Sequence, residues 1–260
     1  MKRILALMLA LLLLCTLVAC KNEQTEDDET GVDMTVESSE KIYTAEGEFN
    51  DRYTYEYIRG DEVAIIGFDA SDKQHAITIP SVIDDRPVTK IEDRAFYHMT
   101  NLTGVTIPEG VTEIGDQAFA KCNVLATVSL PSTLTSIGEA AFAYCAALNG
   151  VAIPAAVTEI GNSAFAGCAK LTSIALPEAV TVVGEYMFMN CESLQTVTWS
   201  AQLEEIEKFA FSGCTALSVT FPATVKTIGD YAFAGCPNVA EPTLSEGTIG
   251  TNAFYTKPAV

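Results

Sequence analysis

Histidine and tryptophan are nearly missing from this 260-residue chain: His75, His98 and Trp199 are all it holds. Neither histidine stands beside a Ser or Cys in a nucleophile motif, and there is no G-x-S-x-G, H-E-x-x-H, P-loop or dinucleotide fingerprint. No C-x-x-C or His pair offers a zinc pattern. Hydrolytic and redox chemistry therefore lack support, the chain is not read as an enzyme, and no cofactor or metal is implied. Paired carboxylates stay open, because acids are plentiful and their spacing in space is not a property of the sequence. Basic residues are scarce too: 15 against 34 acids, a formal charge of −19. Such a chain is repelled by nucleic acid and by anionic headgroups, which argues against both as partners. Hydrophobic residues are not scarce. At 48% they suffice for a packed core.

The first 20 residues, "MKRILALMLALLLLCTLVAC", set Lys2 and Arg3 before a short apolar run and end in small residues. That is the pattern of an export signal, with a run too short for a stable membrane span. Leu17-Val18-Ala19-Cys20 is similar to the lipobox of bacterial lipoproteins. The resemblance implies cleavage before Cys20 and diacylglyceryl attachment to its sulfur, hence a partner in the lipid bilayer and an extracytoplasmic location. An ordinary cleaved signal peptide is the alternative. Cleavage removes Lys2 and Arg3 and leaves 13 bases against 34 acids, a charge of −21. Residues 21–48 follow as an acidic tether. Ten acids and two bases between residues 21 and 50, with hardly an apolar cluster, predict a disordered, self-repelling segment that reaches on the order of 30 Å.

From residue 77 the sequence aligns with itself. Phe recurs at 96, 119, 142, 165, 188, 211, 233 and 254, and Cys at 122, 145, 168, 191, 214 and 236. A fixed period of about 23 residues marks a solenoid, in which each turn buries its apolar side against its neighbours. In "NLTGVTIP", Leu102, Val105 and Ile107 predict a short strand closed by Pro108. Val111 and Ile114 add inward anchors, Gly115 breaks the chain, and Asp116 is a plausible N-cap. Ala118, Cys122 and Leu125, spaced by four and three, share one face of a predicted short helix. The expected fold class is thus an α/β repeat solenoid of about eight turns, each strand, bend and helix, bent into an arc with its strands on the concave side.

The phrase L-x-x-V-x-I-P-x-x-V-x-x-I-G-x-x-A-F-x-x-C-x-x-L resembles the BspA-like leucine-rich repeat family of bacterial surface proteins. The resemblance spans residues 77–255 and implies an extracellular, cell-surface adhesion or ligand-binding protein with no catalytic residues to carry over. Residues 49–76 alternate polar with aromatic or β-branched side chains around Gly60-Asp61 and predict a β-hairpin cap over the first repeat. The first copy carries a five-residue insertion, Asp84-Asp85-Arg86-Pro87-Val88. The last copy is truncated, and residues 256–260 are a tail. The copy at 200–222 is irregular: Ser200 replaces Pro, Glu207 replaces Gly, and Glu204, Glu205 and Glu207 gather acid.

Several residues invite a role. The six repeat cysteines would stack about 5 Å apart as a ladder. Buried reduced thiols, disulfides and metal ligation are the three readings, with parallel side chains holding sulfurs poorly for bridging. Arg59-Gly60-Asp61 is a tripeptide of the sort integrins recognise, in a turn that favours Gly-Asp in any case. Trp199 takes an inward position and reads as core. The outward strand positions Thr103, Thr106, Thr127, Ser129, Asn149, Ala152, Ser173, Ala175, Gln195, Thr198 and Thr220 form a small, hydroxyl-rich, nearly uncharged ramp. It suits an extracellular protein or polysaccharide, though such residues are also what any exposed strand tolerates. A structural envelope scaffold without a specific ligand is the alternative function, and a secreted enzyme a distant third.

Overall fold

The computed structural model describes residues 52–58, 60–69 and 75–256. The signal segment, Cys20, the acidic tether, Arg59 and residues 257–260 lie outside them.

The repeat builds a stack of coils held by two parallel ribbons. In the first ribbon β3 (Ala76–Thr78), β6 (Gly104–Thr106) and β8 (Thr127–Ser129) pair side by side, as do β11 (Ser173–Ala175) and β13 (Thr196–Thr198). In the second, β5 (Arg86–Ile91) leads to β7 (Glu113–Ile114), β9 (Ser136–Ile137) and β10 (Glu159–Ile160). It resumes with β12 (Val182–Val183), β14 (Glu205–Ile206), β15 (Thr227–Ile228) and β16 (Thr248–Ile249). Between β8 and β11 the chain at 150–152 makes no regular strand, and Gly150, with no side chain to pack, is the local difference. Registers place like on like, Val105 against Val128 and Ile114 against Ile137, because each coil repeats its predecessor.

The core runs the length of the stack. Phe96, Phe119, Phe142, Phe165, Phe188, Phe211 and Phe233 are fully buried, and Phe254 ends the row. Adjacent rings are nearly parallel, with centroids 4.8 Å apart for Phe96 and Phe119 and 5.7 Å for Phe165 and Phe188. Identical rings at identical positions stack face to face because the coil rise sets their separation. Glycine closes the corner after the second ribbon for a steric reason. A Cβ on Gly138 would stand 2.6 Å from the Gly115 carbonyl carbon and 2.7 Å from the Asp116 nitrogen, so consecutive coils meet there backbone to backbone.

The third side of each coil departs from the sequence expectation. Where a short helix was expected, the described residues form no helix but a run of tight turns. Alternate amides leave the coil: Gln117, Phe119 and Lys121 donate to the carbonyls of Glu139, Ala141 and Ala143 in the next one, at 2.8, 2.8 and 2.7 Å. The amides between them, on Ala118, Ala120 and Cys122, close short turns onto residues three back. A helix would need every amide for its own i−4 carbonyl. The alternation is made by left-handed residues four apart, Gln117 (φ 55°) and Lys121 (φ 63°), then Ala140 (φ 53°) and Tyr144 (φ 60°), which a right-handed helix excludes. Ala118, Cys122 and Leu125 are all buried, as their spacing predicts, without being helical. Nor is Asp116 a helix N-cap: its Oδ1 accepts the Glu139 amide of the following coil at 2.6 Å, as Asp93 Oδ1 accepts that of Asp116 at 2.7 Å.

At the N-terminal end β1 (Tyr53–Ile58) and β2 (Glu62–Phe68) form an antiparallel hairpin, turning through Gly60 (φ 83°) and Asp61 (φ 61°). β2 runs parallel to β5, and Phe68 lies over Phe96 at 5.8 Å, extending the aromatic row. The inserted residues supply the anchor. Asp84 and Asp85, both left-handed, turn β4 (Val82–Ile83) back onto β5. Asp84 Oδ2 then accepts the hydroxyls of Tyr55 (2.6 Å) and Tyr57 (2.7 Å), and the Arg86 guanidinium lies 4.2 Å over the Tyr57 ring.

Candidate functional site

Every outward position predicted on the first ribbon is exposed: Thr103, Thr106, Thr127, Ser129, Asn149, Ala152, Ser173, Ala175, Gln195, Thr198 and Thr220. Strand alternation explains those beside Val105 and Ile174, which turn inward so that their neighbours turn out, while Thr103, Asn149 and Gln195 follow the buried Leu102, Leu148 and Leu194 outside the strands. Where its strands pair, the ribbon spends backbone groups on the ladder and leaves side chains to meet a partner. Some hydroxyls are already engaged, as Thr103 Oγ1 donates to the His75 carbonyl at 2.7 Å. No charged residue occurs in segments 102–107, 125–130, 148–153, 171–176, 194–199 or 217–221. Over β3, β6 and β8 the face dips into an open recess of about 260 Å³, lined among others by Gly104, Val105, Thr127 and Val128. Gly104 is buried, and a Cβ there would lie 2.9 Å from Thr127 Oγ1, so the dip is made by the missing side chain.

The second ribbon has the opposite character. A groove of about 620 Å³ carries Asp93, Glu113, Asp116, Glu139 and Glu159, with Lys90 at its end. Burial works against the Lys90 ammonium, but Glu92 at 2.9 Å and Glu113 at 3.2 Å outweigh it and hold its pKa above the usual lysine range. The acids of the irregular copy are shared out rather than clustered on one ligand: Glu204 pairs with Lys226 at 2.8 Å, and Glu207 Oε2 accepts the Glu185 amide at 2.9 Å. Ser200, where proline was expected, is fully buried and donates to the Glu178 carbonyl at 3.0 Å.

The remaining candidates resolve structurally. All six repeat cysteines are free and buried. Each thiol donates to a phenylalanine carbonyl of the preceding coil, Cys122 to Phe96 at 3.1 Å and Cys145 to Phe119 at 3.2 Å. Burial pushes Cys122 and Cys191 up to about 12 and Cys145 and Cys168 well above the ordinary thiol range, so these sulfurs are neither nucleophiles nor ready ligands. Among the described residues no group of three or more His, Cys, Asp or Glu could hold a metal ion. Trp199 is only partly core. Half-buried, it packs edge-on against Phe211 at 5.6 Å and stacks on Phe221 at 6.0 Å, and its indole N–H donates to the Thr220 carbonyl at 2.7 Å. Asp61 is exposed, 3.7 Å from Arg86, while Arg59 lies outside the described residues. What the sequence did not reveal is the recess over Gly104, since a lone glycine in a strand also reads as a bulge.

Coils of about 23 residues, parallel ribbons and a continuous row of inward Leu, Ile, Val and Phe define a leucine-rich repeat solenoid. The chain belongs to the BspA-type leucine-rich repeat family, whose model matches residues 67–194 and 158–259. Among solved structures it is similar to the Treponema pallidum leucine-rich repeat protein, with 28% identity, a TM-score of 0.68, and coverage of 74% of this chain and 89% of that one. A leucine-rich cell surface protein of Faecalibacterium prausnitzii shares 35% identity with a TM-score of 0.70, over 78% of this chain and 54% of that one. A Bacteroides ovatus leucine-rich repeat protein at 24% identity and TM-score 0.57 shares the fold, over 79% of this chain and 67% of that one. No functionally curated protein matches the sequence.

Proposed function

We propose that the chain is a lipid-anchored recognition protein of a bacterial cell surface, held to the membrane by acylated Cys20 and presenting its first ribbon to an extracellular protein or glycan. The observation that carries the reading is the contrast between the two ribbons: one face uncharged over six successive coils, the other acidic. In a chain bearing −19, a neutral strip is a place where another surface can approach without desolvating charge. Membership of a family with relatives at the cell surface supports the location. The Leu-Val-Ala-Cys motif supports the anchor, two or more acyl chains giving stable attachment where one would be marginal.

Two measurements test this. The mature protein is passed over host matrix, mucin and cell-wall glycan, beside a Thr127→Glu/Thr198→Glu variant. Retention by the native chain and loss by the variant are expected; silence of both throughout favours the envelope-scaffold reading instead. For the anchor, Cys20→Ala is expected to release the protein from membranes, and continued membrane fractionation would overturn lipidation.

A further inference from the structure

We propose that the occupant of the first ribbon is an uncharged, extended, β-linked polysaccharide laid along the stacking axis, one sugar ring to each coil. The inference rests on the reading of this face as the recognition surface and adds the chemistry of what lies there.

Charge is the first argument. The six segments that build the face hold no Asp, Glu, Lys or Arg, while the neighbouring ribbon carries Glu113, Glu159 and Glu205. An anionic polymer is repelled by that flank, and a cationic one finds its countercharges on the wrong ribbon. A neutral polymer meets neither penalty. Hydrogen-bonding capacity is the second. Thr106, Thr127, Ser129, Ser173 and Thr198 each offer one donor and two acceptors, matching a partner that presents hydroxyls in both roles on every ring. A peptide binds sheets by adding to an edge with its backbone, and in this ribbon β6 is already paired on both sides, with β3 and β8, while β11 and β13 pair with each other.

The third argument is pitch. Stacked phenylalanines place successive coils 4.8–5.7 Å apart. An extended β-linked pyranose chain advances by about that length per ring, so each sugar meets an equivalent set of side chains. An extended peptide advances about 3.3 Å per residue and falls out of step within two coils. Shape agrees at both ends of the face. The recess over Gly104, floored by Val105 and Val128, has room for one ring against its apolar C–H side. At the other end the half-buried, stacked pair Trp199 and Phe221 borders Thr198 and Thr220.

The test is calorimetric titration of the mature protein with neutral β-1,4-linked gluco- and N-acetylgluco-oligosaccharides of increasing length, with α-1,4-linked oligomers as controls. Affinity is expected to rise with each added ring and level off once the face is filled, the α-linked series staying silent. Thr127→Glu, an exposed change that leaves the melting temperature in place, is expected to weaken the longer oligomers about tenfold or more by setting an unpaired charge under them. Affinity independent of length, or indifferent to Thr127→Glu, would overturn the proposal. So would silence of every glycan while a protein from the panel is still captured in a Thr127-sensitive way, an outcome that keeps the face as the recognition surface. Capture of a partner by native and face variant alike would sink the face reading itself.

Discussion

Alkaline pH should loosen this fold through its buried thiols. In the folded chain burial holds Cys122 and Cys191 at about 12 and Cys145 and Cys168 well above the ordinary value of 9.0. In the unfolded chain each returns to that ordinary value. Because the folded pKa is the higher, the stabilisation is complete below pH 9 and is lost as pH rises toward 12. At about pH 10 an unfolded thiol has mostly shed its proton while its folded counterpart has not, and linkage removes about 1 kcal/mol for each. Four thiols together come to on the order of 4–6 kcal/mol, a large part of a typical domain's stability. Lysines and tyrosines titrate in the same range, so the informative quantity is a difference. Urea denaturation under reducing conditions at about pH 8 and about pH 10 is compared for the native chain and for Cys145→Ala/Cys168→Ala. The variant starts less stable but should lose about 2 kcal/mol less between the two conditions. Equal losses would mean that those thiols are not buried and protonated, and the ladder would have to be redrawn.

Phe165 sits mid-stack between Phe142 and Phe188, fully buried, and Phe165→Ala is expected to destabilise by about 3–5 kcal/mol by calorimetry or urea titration. A change under about 1 kcal/mol would mean that the row is not the core. Asp84→Ala removes the acceptor of two tyrosine hydroxyls and should cost about 1–3 kcal/mol. Its distinguishing sign is faster proteolysis confined to the N-terminal hairpin, and uniform proteolysis along the chain would argue that the hairpin is not held by this contact.

The sequence was legible wherever a side chain repeats. The period, the inward Phe, Cys and Leu positions and the outward Thr and Ser of the first ribbon are all where their spacing puts them, because coil stacking copies one environment many times. The third side of each coil was misread because spacings of four and three are satisfied equally by a helix and by consecutive tight turns. The deciding groups, the amides of Gln117, Phe119 and Lys121, bond to residues 22 positions away, which no local pattern reports. Of the two left-handed positions in each coil, the first gives no warning, being filled by Gln117, Ala140, Ser163 and Phe209, whereas the second, Lys121 and Tyr144 in two coils, is Gly167, Gly213 and Gly235 in others, a glycine signal against a helix that the spacing of four and three hides. In the same way Tyr55 and Tyr57 are visible as strand residues, but their shared partner Asp84, in an insertion, is not. Trp199 resembles its sister residues in sequence and in structure, sharing the half-buried state of Leu130, Ile153 and Phe221 at that position.

Amide hydrogen exchange, residue by residue, most directly tests whether consecutive coils are tied together through their turns. Lys121 and Tyr144 are exposed side chains on that surface, yet their amides donate to Ala143 and Ala166 of the next coil at 2.7 and 2.6 Å. Strong protection at both, alternating with weaker protection at Ala120 and Ala143, is the expected pattern. Exchange of Lys121 and Tyr144 as fast as an open loop would contradict the stacked-coil account.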